Sequence, residues 1–185
     1  MKKDLLSLSE LTGEEIISIL DLADRLKKNP LNYSKKLEGR TLLMMFEKPS
    51  LRTRLSFEVG MTQMGGHAIY YDLSTSPLGK KKESIKDTAK TSSRYVDIIM
   101  ARLFSHDDLC ELAHESDVPV INALTDFSHP CQILADLQAV REKKGYLAGL
   151  KLAYFGDGNN NVTHSLIFGC VLVGMDISVA CPVGE

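Results

Sequence analysis

The chain has 185 residues, enough for one domain with a sizeable core and part of another. Hydrophobic residues at 44% and charged residues at 25% exclude a disordered or fibrous protein. The net charge of −2 gives no global field to hold nucleic acid or an acidic membrane, so any anion site must be local.

Along the chain, helical and strand-like segments alternate. Thr12 predicts an N-cap with Glu14 and Glu15 in the first turn, and Ile16, Ile17, Leu20, Ala23 and Leu26 form the stripe of a helix closed by Asn29-Pro30. Thr41–Phe46 is suited to a buried parallel strand. Leu51, Leu55 and Val59 then stand at helical spacing as far as Gly65-Gly66, and His67–Tyr71 predicts a second strand. Glu83–Ser93 reads as a helix, Val96–Ala101 as a strand, Asp107–Glu115 as a helix and Val118–Ile121 as a short strand. Pro130–Lys144 is a longer helix, followed by strand Leu150–Phe155, helix Val162–Val173 and strand Asp176–Ala180. Such alternation predicts an α/β fold: a parallel sheet flanked by helices on both faces. The expected boundary lies near Gly145. Residues 1–145 then form a complete domain, and 146–185 supply the first strand-helix-strand of a second α/β domain, too small to cover both faces of a sheet.

The longest apolar runs, such as Leu42–Phe46, fall far below the roughly 18 residues of a membrane helix. Met1–Asp4 leads into no apolar signal core. Cys110, Cys131, Cys170 and Cys181 form no CxxC pair and are expected to be reduced, mostly buried thiols of a cytoplasmic protein. No His/Cys/Asp cluster has metal-ligand spacing, so neither a metal nor a cofactor is expected.

Chemistry concentrates where strands end and helices begin. After the first strand, Ser50 stands as an N-cap, and the following amides, the helix dipole, the hydroxyls of Ser50 and Thr53, and Arg52 can together hold a phosphate. Arg54 lies two residues on and projects differently; a capped surface helix with solvated arginines is the bland alternative. The loop lacks the glycines of a nucleotide-binding Walker loop. At the later helix, Pro130 suits a first helical position, and His129 and Gln132, three residues apart, can face one cleft. Gly156–Asn161 invites comparison with a dinucleotide fingerprint, but Asn161 stands where its third glycine belongs, and a plain structural turn fits equally. Lys80-Lys81-Lys82, as a bare charge run, reads as a solvated loop.

Ser50–Arg54 followed by Ser56-Phe57-Glu58 resembles the carbamoyl-phosphate motif of the aspartate and ornithine carbamoyltransferases. Glu83–Thr88, Arg94–Asp97 with Ala101-Arg102, His129–Gln132 with Leu134–Asp136, and Gly156–Asn161 with His164-Ser165 match the family in order. The resemblance implies transfer of the carbamoyl group from carbamoyl phosphate to the δ-amine of L-ornithine, giving citrulline and phosphate, in a homotrimer of arginine metabolism. It implies that Ser50, Leu51, Arg52, Thr53 and Arg54 cradle the phosphate, and that Arg102, His129 and Thr53 donate to the carbonyl oxygen. Gln132 would accept from the carbamoyl NH2 group through its side-chain oxygen. Arg52, Arg102 and His129 are the expected catalytic residues, and Asn161 the expected ornithine contact. Cys131 reads as a packing residue rather than a nucleophile, since no base stands at a spacing to activate it.

One departure concerns the loop before Glu83. Ornithine-type relatives carry there a Gln that reaches the neighbouring subunit's site, whereas here Pro77 takes that place and Lys81 suits the aspartate-type loop instead. Lys81 from a neighbouring subunit is therefore the expected contributor, and aspartate carbamoyltransferase is the second reading. A non-catalytic anion-binding short paralogue is the third. Family members carry a later His-Cys-Leu-Pro loop, so the chain by itself is expected to bind carbamoyl phosphate but to turn over little or no ornithine.

Overall fold

The computed structural model describes residues 2–76, 78 and 83–182. Helix α1 (Gly13–Lys28) starts at Thr12 with a reciprocal capping box, the Thr12 hydroxyl accepting from the Glu15 amide and the Glu15 carboxylate from the Thr12 amide. Strand β1 (Thr41–Phe46) is buried from Leu42 to Phe46, as a strand covered on both faces must be. Its side chains alternate. Leu43 and Met45 join Ile99, Leu109, Leu112 and Val120 in one cluster, while Leu42, Met44 and Phe46 join Met61, Met100 and Ala123 in another.

The chain continues through α2 (Leu51–Gln63), β2 (His67–Asp72), α3 (Ile85–Ser92), β3 (Ile98–Arg102), α4 (His106–Glu115) and β4 (Val120–Leu124). These four strands form a parallel sheet in the order β2-β1-β3-β4. Met61 of α2 packs on one face, and Ala89 of α3 with Leu109 and Leu112 of α4 on the other. The fold is thus α/β, with helices on both faces. Because the chain leaves β1 in one direction for β2 and returns across it to β3, the loops after β1 and β3 part at their carboxyl ends. Open parallel sheets bind ligands in the crevice this leaves.

Helix α5 (Pro130–Lys144) follows, ending at Gly145, whose φ of +84° closes the helix in the left-handed conformation glycine adopts without strain. Then come β5 (Lys151–Phe155), α6 (Asn161–Leu172) and β6 (Asp176–Ala180), with β5 and β6 paired in a separate parallel sheet. A third cluster, including Ile16 and Leu20 of α1, Ile133 and Leu137 of α5 and Leu166 and Cys170 of α6, ties this unit to the rest. The two strands alternate between half-buried and exposed residues, so only one face is covered.

Helix α1 begins hard against the end of α6: a Cβ added at Gly13 would run into the Leu172 carbonyl oxygen. Since a backbone atom cannot swing aside as a side chain can, Gly13→Ala should destabilise the chain by about 2 kcal/mol, measurable in urea unfolding.

Several expectations need correction. The third strand starts at Ile98, not Val96, because the Asp97 carboxylate accepts from the Thr41 amide (2.8 Å) and from Arg40 (2.6 Å), which fixes the chain ahead of the ladder. The fourth runs Val120–Leu124, not Val118–Ile121; Pro119 has no N–H for the ladder, and Ser116 binds Val118 at both its amide and its carbonyl. Of the free cysteines only Cys170 is buried; Cys131 is half-buried, and Cys110 and Cys181 are exposed. On α4 the buried positions are Leu109, Leu112 and Ala113, so the helical period turns Cys110 outward. Among the described residues no helix is long and apolar enough to cross a membrane.

Candidate functional site

The crevice between β1 and β3 opens into a cleft of about 760 Å³. Ser50, Arg52 and Thr53 reach it from the start of α2, Arg102 from the end of β3, and His129 and Gln132 from the start of α5. Residues that lie far apart in sequence therefore meet because three strand ends sit side by side.

Ser50 caps α2: its hydroxyl accepts from the Thr53 amide (3.4 Å) and donates to the Thr53 hydroxyl (3.1 Å). This leaves the first amides of α2 and the positive end of its dipole directed at the cleft mouth. One turn on, the Ser56 hydroxyl binds the Arg52 carbonyl at 2.8 Å. Arg102 pairs in register with Phe46 of β1, and the β3–β4 register slips between Ala101 and Arg102, an irregularity of the kind that re-aims a side chain. The residue is 9% exposed, and its Nε donates to the Lys48 carbonyl at 3.1 Å.

His129 is the N-cap residue of α5 and makes no side-chain cap. Its own amide is held instead by Ser165 of α6, whose hydroxyl accepts it at 2.9 Å and donates to the Asn161 carbonyl at 2.7 Å. The preceding loop is pinned by the fully buried Asn122, whose Nδ2 donates to the carbonyls of Leu6 (2.8 Å) and Ser128 (3.2 Å). His129 Nδ1 is buried with no hydrogen-bond partner among the described residues.

Positive charge dominates here. Burial, helped by repulsion from Arg52, lowers the pKa of Arg102. Burial, with repulsion from Arg102, holds His129 down to about 4, so its imidazole is neutral at pH 7 and donates from a single nitrogen. An anion between the two arginines would relieve their mutual repulsion. Burial pushes the Cys131 thiol up to about 12, and its Sγ lies 3.4 Å from the Asn122 carbonyl, an environment that suppresses the thiolate. Among the described residues no group of three or more His, Cys, Asp or Glu side chains is placed to hold a metal.

Not every expected residue reaches the cleft. The Leu51 side chain is 73% exposed and outside the lining, so only its backbone stands near. Arg54 turns away: its Nε donates to Glu58 at 2.9 Å and its guanidinium lies 4.2 Å from the centre of the Tyr70 ring, with the Glu58 bond chiefly raising its pKa. Asn161, at the start of α6, is outside the lining while its neighbour Val162 is part of it. The Asn161 Nδ2 donates to the Thr125 carbonyl at 2.6 Å. Lys81, and Pro77 of the same loop, lie outside the described residues. Phe57 and Asp136 line the cleft although no role was expected of them. Each stands four residues after an expected contact, Thr53 and Gln132, and that spacing was the signal.

The model for the aspartate/ornithine carbamoyltransferase carbamoyl-phosphate binding domain matches residues 3–142, and that for the Asp/Orn binding domain residues 148–184. The ornithine carbamoyltransferase of Cenarchaeum symbiosum is 53% identical over 97% of this chain and 59% of its own length. That of Methanocaldococcus jannaschii is 52% identical over 97% of this chain and 58% of its own. The solved ornithine carbamoyltransferase of Pyrococcus furiosus superposes with a TM-score of 0.94 at 50% identity, covering 99% of this chain and 58% of that one. The chain therefore spans rather less than two thirds of each of these relatives.

Proposed function

The chain belongs to the aspartate/ornithine carbamoyltransferase family, and we propose that it carries the carbamoyl-phosphate half of an ornithine carbamoyltransferase. In this reading residues 1–145 bind carbamoyl phosphate and residues 146–185 begin the ornithine-binding domain. The phosphate sits at the start of α2, on the Leu51 and Arg52 amides, the Ser50 and Thr53 hydroxyls and the Arg52 guanidinium. Arg102, His129 and Thr53 donate to the carbonyl oxygen, and Gln132 accepts from the carbamoyl NH2.

Chemistry follows from that placement. The neutral δ-amine of ornithine attacks the carbonyl carbon, the new N–C bond forms, and the C–O bond to phosphate breaks. The amine gives up a proton that the departing phosphate can take. Negative charge grows on the carbonyl oxygen during attack, and donors already fixed by the fold stabilise it without reorganising. Asn161, with its Nδ2 bound to Thr125, keeps its side-chain oxygen to accept from the amino-acid end of ornithine. The assembly in this reading is a cytoplasmic homotrimer.

The observation that carries this reading is the convergence of Ser50, Arg52, Thr53, Arg102, His129 and Gln132 on one cleft. Relatives named for ornithine at 50–53% identity favour ornithine over aspartate as the acceptor. Calorimetric titration tests the first half of the reaction. Carbamoyl phosphate should bind roughly tenfold or more tightly than inorganic phosphate, the worth of one or two added hydrogen bonds. Equal affinity for the two would remove the carbonyl and NH2 contacts from the scheme.

A further inference from the structure

Asp136 has no part in the reaction as proposed, and its position needs a reason. It is the one carboxylate lining the cleft among the described residues, in a site otherwise built for an anion. A carboxylate there repels a phosphate dianion, so its presence works against affinity.

Its contact supplies the reason. Gln132 Nε2 donates to Asp136 Oδ1 at 3.0 Å, one helical turn apart on α5, and both side chains line the cleft. An ionised carboxylate only accepts hydrogen bonds, whereas a Gln side chain has a donor end and an acceptor end. Asp136 can therefore bind only the NH2 end of Gln132, and the oxygen end is the one left for a ligand. A Gln without that partner can flip and present either end at nearly equal cost.

We infer, given the proposed function, that Asp136 is a positioning residue that sets substrate specificity: it locks the Gln132 amide with its oxygen toward the ligand, so that the site selects an acyl phosphate bearing an NH2 group. Acetyl phosphate has the same shape and charge but carries a methyl group in that place. It offers the Gln132 oxygen no donor, and where the bound ligand shuts water away from that oxygen, a site built to hydrogen-bond a group rejects the analogue that lacks it. Release of Gln132 lets its NH2 end turn inward. Carbamoyl phosphate then loses its preferred acceptor, while acetyl phosphate loses nothing.

The test is calorimetric titration of carbamoyl phosphate, acetyl phosphate and inorganic phosphate into the 185-residue chain and into Asp136→Ala and Asp136→Leu. The leucine variant keeps side-chain bulk without an acceptor, and thermal unfolding shows which variants are folded. The parent chain should prefer carbamoyl over acetyl phosphate by about tenfold. In a folded variant that ratio should fall to within about twofold, through weaker carbamoyl phosphate binding, with inorganic phosphate bound as well as before or more tightly. An unchanged ratio, or equal weakening of all three ligands, would overturn the role of Asp136. A parent chain that fails to prefer carbamoyl phosphate over inorganic phosphate would instead overturn the proposed function itself, so the two failures are distinct.

Discussion

Replacing Arg52 with alanine is expected to weaken binding of inorganic phosphate and of carbamoyl phosphate alike by ten- to a hundredfold, about 1.5–3 kcal/mol for a charge-assisted contact that loses its water when the ligand binds. Arg54→Ala should change either affinity by no more than about twofold, since exposed ion pairs of its kind contribute little. In sequence the two arginines are indistinguishable, two residues apart in one motif. On the helix they diverge: Arg52 lines the cleft, while Arg54 is spent on Glu58 and the Tyr70 ring. Titration of both variants at one ionic strength decides the matter. Equal losses would mean that Arg54 leaves Glu58 to join the phosphate, or that both arginines act only through long-range charge.

The second large effect is on stability against pH. His129 is held down to about 4 in the folded chain, by burial first and the Arg102 charge second, whereas in the unfolded chain it titrates near 6.5. Above the unfolded value both states are neutral and the group contributes no pH dependence. As pH falls from 6.5 toward 4, the unfolded chain takes up a proton that the folded chain does not, so stability is lost through that window and levels off below it. The loss can reach at most about 3 kcal/mol. Asp97 and Asp72, both held below the usual carboxylate value by hydrogen bonds, begin to lose their contribution only as pH falls through their unfolded value, beneath this window. His129→Asn puts a residue favoured at N-caps at the start of α5 and should flatten the profile between pH 4.5 and 6.5 in urea unfolding. A variant whose profile keeps the parent slope would place the proton uptake elsewhere.

What could be seen in the sequence, and what could not, follows from how far each signal reaches along the chain. Helix α5 was legible to the residue because Pro130 and Gly145 mark its two ends by backbone chemistry alone, and β1 because its apolar run has no other home than a buried sheet. The bounds of β3 and β4 were not, since they depend on the Asp97 carboxylate reaching Thr41 and on Ser116 turning the chain before Pro119. The site divides in the same way. Ser50 with Thr53, and His129 with Gln132, share a helix start and could be paired by spacing. That Ser165 holds the His129 amide across 36 residues, and that Arg102 meets the start of α2, are consequences of strand order and leave no trace in local pattern. Asp136 sat within a recognised motif, but its meaning required knowing which end of Gln132 it binds.

The most direct test of the central claim is to add carbamoyl phosphate to isotopically labelled chain and map the perturbed backbone and side-chain resonances. The largest changes should fall on the amides of Leu51–Thr53, the Arg102 guanidinium, the His129 imidazole and the Gln132 side-chain amide, all saturating at one common affinity. Perturbations that centre on another surface, or that reach α2 without reaching His129 and Gln132, would contradict a single site built from three strand ends.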